Sequence, residues 1–354
     1  MVFILAAILI FGMLIAVHEL GHFLAAKACG VPVHEFAIGM GPVLWKKETE
    51  ETKYSLRLLP IGGFCAMEGE EEDSENPKAL NNQSFFKKLL IYAAGAAMNF
   101  IAGLLILVIL FAGAKAVYTA EITDIAEGSS LSVPGGLQVG DVILSIDGEK
   151  VYNRGNVSLL LSLNTDGTYD FVVRRDGEKV TIRDLQLEQK EFPDSNGGTY
   201  VGLGFTMAGY EELNAFGRLR YSWNSAMDFV RTVRLSLEML LTGQAGIQDL
   251  SGPVGIVNTI TEVGQQSATI RDAVSNIAYL AALIAVNLAV MNLLPIPALD
   301  GGKIFFLLVN QLSLLIFRKQ ISAKFENYIH VAGFILLMGL MAVVMFMDVW
   351  KLFQ

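Results

Sequence analysis

His18, Glu19 and His22 stand within one helical turn of each other, in a run that is otherwise apolar from the first residue. On a helix, residues four apart project from the same face. Two imidazoles at that spacing can share a tetrahedral zinc ion, and the glutamate between them can then take a proton from a metal-activated water. The pattern alone is moderately specific, because it also occurs in ordinary soluble helices. Inside an apolar run its weight changes, since each ionisable group there costs on the order of 3 kcal/mol. The plain alternative is a pair of histidines hydrogen-bonded inside a helix bundle.

A catalytic zinc site needs a third protein ligand and one open position. The residues after His22 read FLAAKA and offer none. His34 and Glu35 lie beyond Gly30 and Pro32, and His34 reads as a sheet or loop residue. His330 begins the last apolar run and reads as an interfacial residue. Depth supplies a better candidate. At about 1.5 Å of rise per residue, His18 lies roughly 25 Å below the entry of its helix. That is near the far edge of a hydrocarbon core about 30 Å thick. A later run descends in the same direction and ends in NLAVMNLLPIPALDGG, 287–302, which carries Asp300 to a similar depth. Pro295 and Pro297 break the helix just before it, freeing the backbone to bend toward a metal. Taken alone, Asp300 reads equally as a helix-end carboxylate before a glycine turn.

These residues need elements that hold them in lipid, and the composition provides them. Of 354 residues, 53% are hydrophobic and 17% charged, against roughly 25% charged in soluble domains. Runs at 2–24, 88–112, 277–299 and 330–350 approach or exceed the about 20 residues that cross a bilayer. A fifth, at 304–317, is shorter and holds Asn310 and Gln311, so it reads as a buried or interfacial helix. The expected fold is a multi-pass α-helical membrane protein with four transmembrane helices. The first run has no Lys or Arg before its apolar core, and its small-residue exit LAAKA lies beyond the histidines, so it does not read as a cleaved signal peptide.

Basic flanks set orientation. Lys27, Lys87 and Lys88, with Arg318, Lys319 and Lys324, place 25–87 and 300–329 on the cytoplasmic side, whereas the opposite flanks offer little beyond Lys115. The site then lies near the cytoplasmic face of a cell membrane. Cys29 and Cys65 fall on the reducing side, and nothing in their spacing asks for a disulfide. A net charge of −9 argues against nucleic acid as a partner.

Four segments follow: 1–118 with the first two spans, 119–192 as a soluble insertion, 193–275 as extracytoplasmic linker and amphipathic helices, and 276–354 with the remaining spans. Residues 33–70 read as short strands at the membrane edge, followed by a solvated acidic loop. In the insertion, GDVILSIDGEKV and YDFVVRRDGEKVTIRDL are hairpin candidates turning at Asp147-Gly148 and Asp176-Gly177. Further on, Phe216, Leu219, Trp223, Met227, Val230, Val233 and Leu237 form a helical stripe that packs on the strands or lies on the membrane surface.

HELGH on a first span together with NLLPIPALDGG on a later one resembles the site-2 protease family, zinc intramembrane proteases of the peptidase M50 type, and most closely its bacterial regulated-proteolysis branch. FAIGMGP (36–42), LPIGGFCAMEGE (59–70) and SGPVGI (251–256) are similar to that branch too, and 121–151 resembles its permuted PDZ domain. The resemblance spans nearly the whole chain. It implies zinc held by His18, His22 and Asp300, with Glu19 as catalytic base. It implies substrate contact or loop orientation by Asn292, and a strand edge including Gly62, Gly63 and Phe64 that pairs with unwound substrate. Substrates implied are single-span membrane proteins already trimmed outside, such as anti-sigma factors, or signal-peptide remnants. One departure stands in GAAMNF (95–100), where Ala96 replaces the usual proline and leaves the role of Asn99 open. The rival reading is a non-catalytic membrane scaffold that captures peptides with its PDZ-like domain.

Overall fold

Nothing in residues 2–29 interrupts a helix, and α1 (Val2–Cys29) runs unbroken through HELGH. Gly30 ends it at φ +78°. The Val31 N–H donates to the Ala26 carbonyl at 2.9 Å and the Gly30 N–H to Lys27 at 3.1 Å, a Schellman stop. The computed structural model describes residues 2–70, 72, 74–129, 131, 135–164, 166–193, 199–319 and 321–351. It divides into two compact units, 1–110 with 229–354 and 111–228.

In the first unit α1 turns Val2, Leu5, Leu9 and Met13 outward and small residues inward. Gly12 lies against the Pro60 carbonyl and Gly21 against that of Ala94, contacts a side chain would block. The membrane-edge segment is one long hairpin bent back on itself, β1 (Val33–Glu48) and β2 (Lys53–Met67): Phe36 stands opposite Cys65 on one side and Tyr54 on the other, while Trp45 and Glu48 pair with Leu56 and Lys53. The bends fall at Gly39, Gly41 and Gly62, all at positive φ, and the two strands thus lie as the four short pieces that the sequence shows. Glu35 anchors its base. Ser55, Arg57 and Lys53 donate to its carboxylate at 2.7, 2.8 and 3.0 Å. Burial opposes ionisation, but these three donors outweigh it and hold Glu35 at about 2.

Next comes α2 (Phe85–Phe111), whose Ile91 joins Ala26, Val33, Phe36 and Cys65 in a core under the hairpin. Both cysteines are free.

The second unit holds β3 (Ala116–Tyr118), β4 (Ile122–Ile125), β5 (Val142–Ile146), β6 (Glu149–Lys150), α3 (Gly155–Leu163), β7 (Thr168–Arg175), β8 (Glu178–Gln186), β9 (Lys190–Pro193), β10 (Thr199–Gly202), β11 (Phe205–Met207) and β12 (Tyr210–Glu212). A four-stranded antiparallel sheet runs β6-β5-β7-β8, with two-stranded pairs β4–β11, β3–β12 and β9–β10. Both expected hairpins form. Asp147 and Gly148 sit at φ 50° and 79°, Asp176 and Gly177 at 51° and 88°, the left-handed pairs that tight hairpin turns require. Arg175 clamps the fully buried Asp141 through two hydrogen bonds of 2.8 and 2.7 Å.

The unit boundary falls inside α4 (Ala215–Thr242). Its buried line runs through Ser222, Ala226, Phe229 and Val233, so the expected stripe is only partly covered: Phe216, Leu219 and Trp223 are exposed. The segment expected as an extracytoplasmic linker is therefore divided. Its last helix, α5 (Pro253–Gln266), belongs to the first unit, with Ile260 packed against Ala7 and Leu14 of α1.

The remaining helices are α6 (Ile270–Asn292), α7 (Asp300–Phe317) and α8 (Ala323–Lys351). Thr269 caps α6 by accepting from the Asp272 N–H. The buried Asp348 of α8 caps α5, accepting from Gly252 and Gly255 N–H at 2.9 and 2.8 Å. Among the described residues, five helices are long and apolar enough to cross a membrane: α1, α2, α6, α7 and α8. The fifth is α7. The stretch expected as a 14-residue run gains Asp300, Gly301, Gly302 and Lys303 at its start and becomes an 18-residue helix.

The Glu35 anchor has a pH signature. A carboxylate held at about 2, against an ordinary 4.5, contributes stability that is complete above 4.5 and is lost as pH falls through about 2. Glu35→Gln should loosen the hairpin by on the order of 1–3 kcal/mol at pH 7. Hydrogen exchange of wild type and variant, compared at each pH, should show the gap closing as pH falls below 4.5. A gap that is constant with pH would reject the ionised anchor.

Candidate metal centre

Two donors come from adjacent turns of α1 and one from the first residue of α7. The Nε2 atoms of His18 and His22 are 3.2 Å apart. Asp300 Oδ2 lies 3.1 Å from the first and 3.2 Å from the second. All three side chains are largely buried. His34 is exposed on β1 and is not part of this cluster.

The donor chemistry fits a cation. The His22 Nδ1–H donates to the Ile91 carbonyl at 2.8 Å, which leaves the lone pair on Nε2 facing the other two donors. An imidazole lone pair aimed at a carboxylate oxygen is repulsive unless a positive charge lies between them. Ligands about 2.0–2.1 Å from a tetrahedral zinc stand about 3.3 Å apart. The observed separations of 3.1–3.2 Å match that triangle. Zinc is therefore compatible with the residues present, by geometry and by the orientation of the His22 ring.

The backbone around the triad is close. A Cβ on Gly95 of α2 would strike His22 Nε2 and stand 2.8 Å from His18 Nε2. The Asn292 amide lies 3.4 Å from His18 Nδ1. Glu19 runs beside the hairpin, its Cγ 3.5 Å from where a Cβ on Gly63 would sit. Gly62 carries φ +90° against Met40, and Phe64 lies beneath the Arg57 guanidinium, 4.9 Å from the ring centre. Cys65 is not a competing ligand. Among the described residues it lies outside the cluster, and burial, with the charges of Glu19 and Glu70, pushes its thiol up to about 12.

Three features were not foreseen. Lys303, one turn past Asp300, pairs with Glu70 at 2.7 Å and lies over the Tyr92 ring. Glu70 belongs to the acidic loop expected to be merely solvated; an ammonium within an apolar helix was the available signal that it needed a partner. His330 is not simply interfacial, because its Nδ1 accepts the Ala298 N–H at 3.0 Å. Asn99 is 1% exposed with no partner for Oδ1, one turn from Gly95 on α2.

The comparisons agree with this chemistry. The Peptidase family M50 model matches residues 6–340. A Clostridium perfringens protein whose name describes a zinc metalloprotease is 35% identical over 98% of both chains. The regulator of sigma-W protease RasP of Bacillus subtilis is 28% identical over 99% of both, and the zinc metalloprotease RasP of Shouchella clausii 29% over 99%. The chain belongs to peptidase family M50. It is a site-2 type zinc metalloprotease and a multi-pass membrane protein.

The closeness of α2 is testable. Gly95→Ala should reduce bound zinc at least about tenfold, measured by elemental analysis of detergent-purified protein. Gly113→Ala, which meets open space, should retain it. Equal zinc in both would show that the α2 approach does not shape the centre.

Proposed function

We propose that this chain cuts peptide bonds within transmembrane segments of single-span membrane proteins, with zinc held by His18, His22 and Asp300 and with Glu19 as the base. The observation that carries the reading is the triangle of three metal-binding atoms from two apolar helices. Zinc supplies Lewis acidity, activating water and polarising the scissile carbonyl. Glu19 accepts the proton as the water oxygen bonds to the carbonyl carbon, then delivers it to the amine as the C–N bond breaks.

Asn292 has a role that follows from the imidazole beside it. With Nε2 of His18 committed to a metal, Nδ1 carries the proton and needs an acceptor. The nitrogen–nitrogen approach of 3.4 Å is then better satisfied with the amide turned end for end, Oδ1 accepting from Nδ1. Asn292 thus orients the ring.

A substrate helix hides its carbonyls in its own hydrogen bonds and must unwind before attack. Among the described residues the segment 63–67 pairs on one side only, with 33–38, and Gly63 borders Glu19. A strand added near Gly62, Gly63 and Phe64 would be held beside the base. The name of the Bacillus subtilis relative, regulator of sigma-W protease, supports anti-sigma factors as one substrate class; signal-peptide remnants offer the same trimmed helix.

The basic flanks support a bacterial cell membrane setting with the amino terminus and residues 111–228 outside, and the site near the cytoplasmic face. The antiparallel strands and α3 within residues 119–192 support a PDZ-like domain there. With four spans, α7 lies within the membrane without crossing it, which agrees with its polar Asn310, Gln311 and Ser313. A reporter fused after Gln354 should then read outside; an inside reading would make α7 a fifth span.

Glu19→Gln decides between enzyme and peptide-capturing scaffold. Reconstituted with single-span peptides, wild type should cleave only with metal and stop with a chelator. The variant should lose at least about a hundredfold in kcat while retaining zinc. Undiminished cleavage by the variant would overturn the assignment of the base.

A further inference from the structure

The turn that delivers Asp300 is strained, and a residue from a different helix holds the strain. Ala298, two positions before the carboxylate, sits at φ +76°. A residue with a Cβ meets its own carbonyl closely in that left-handed conformation and adopts it only when something holds it there. Its N–H donates to Nδ1 of His330 at 3.0 Å. The acceptor role fixes the tautomer, leaving the hydrogen on Nε2, where that buried atom has no hydrogen-bond partner and lies 3.9 Å from Glu326. The ring is therefore placed for its Nδ1 contact. Phe306 of α7 packs against it, with 5.3 Å between ring centres. One turn on, Gly333 receives Pro297 so closely that a Cβ there would strike the proline Cβ. The start of α8 thus grips Pro297 by shape and Ala298 by a hydrogen bond.

We propose that His330 is a positioning residue for the zinc centre: its Nδ1 stabilises the left-handed Ala298 and so fixes where the Asp300 carboxylate stands. The assignment rests on the reading of Asp300 as a zinc ligand. His330 itself touches neither metal nor substrate. Its effect is on how long the carboxylate stays in place, and hence on metal retention and kcat rather than on substrate affinity. The strain makes the link specific. Glycine adopts the same conformation without penalty, so a chain carrying Ala298→Gly should no longer need the histidine acceptor.

The experiment measures zinc loss to excess chelator from the purified full-length protein, alongside kcat and KM. His330→Leu should release zinc roughly tenfold or more faster and lower kcat with KM unchanged. His330→Asn, whose Oδ1 stands at the same bond distance from Cβ as Nδ1, should remain within about threefold of wild type. Ala298→Gly in the His330→Leu background should restore retention, a coupling that simple loss of packing would not produce. Wild-type retention in His330→Leu, or failure of both the asparagine and the glycine to rescue, overturns the proposal. Asp300→Asn, run in parallel, separates the two readings. If it loses zinc while His330→Leu does not, only the positioning role fails. If Asp300→Asn keeps zinc as well as wild type, the ligand assignment and this inference fall together.

Discussion

Two imidazole nitrogens and a carboxylate oxygen, each about 3 Å from the others, are stable together only around a positive charge. At the depth of an apolar helix no bulk water screens them, and an unpaired carboxylate there is far more costly than at a surface. A divalent cation held there would offset that cost and couple α1 to α7, elements separated by most of the sequence. Much of the remaining architecture brings these two helices and their neighbours close enough for that coupling.

Close approach is achieved by removing side chains. On α1, Gly12 and Gly21 admit carbonyls of β2 and α2, and on α2, Gly95 lets the backbone approach the imidazoles. In lipid there is little hydrophobic force between helices, so contact of this kind and hydrogen bonds across it carry the association. The same closeness lets a main-chain carbonyl, that of Ile91, serve as the outer partner of His22. The hairpin performs a second task with the same geometry. It runs along α1 from Gly12 to Glu19, so its strand edges would stand at the level of the proposed base, where an unwound helix would need replacement partners for its amides.

What could be read in the sequence depended on whether a feature is local. Asp147-Gly148 and Asp176-Gly177 specify their turns from adjacent residues, and both hairpins form as expected. Asp300 was legible because helix rise and bilayer thickness convert sequence position into depth, a long-range argument with a fixed ruler. The four short strands of 33–67 were legible too, since the positive-φ glycines that bend β1 and β2 are themselves local signals. The Lys303–Glu70 pair and the His330–Ala298 bond were not legible. Each joins segments with no shared periodicity, and only the folded chain sets the partner. The packing of the helix at 253–266 was not legible for a related reason. Its composition is that of a modest amphipathic helix, and its burial comes from α1 and α6, with its amino-terminal cap supplied by Asp348.

The carboxylate arrives on a broken helix for a physical reason. A continuous helix through 287–305 would commit every amide to its own ladder and hold Asp300 at the angle that ladder dictates. Pro295 and Pro297 remove two donors that the irregular segment would otherwise leave unpaired in an apolar setting. Other amides pair locally, Ile296 to Leu294 at 2.7 Å, Leu299 to Ile296 at 3.2 Å and Gly302 to Leu299 at 3.0 Å, while that of Ala298 reaches His330. Gly301 and Gly302 complete the arrangement. A side chain at the first would strike the carbonyls of Leu293 and Leu294, and one at the second would crowd Ile296 and Pro297. The glycine pair is thus what allows the turn to fold back over the start of α7, and that fold-back places the first residue of the helix, Asp300, beside the imidazoles.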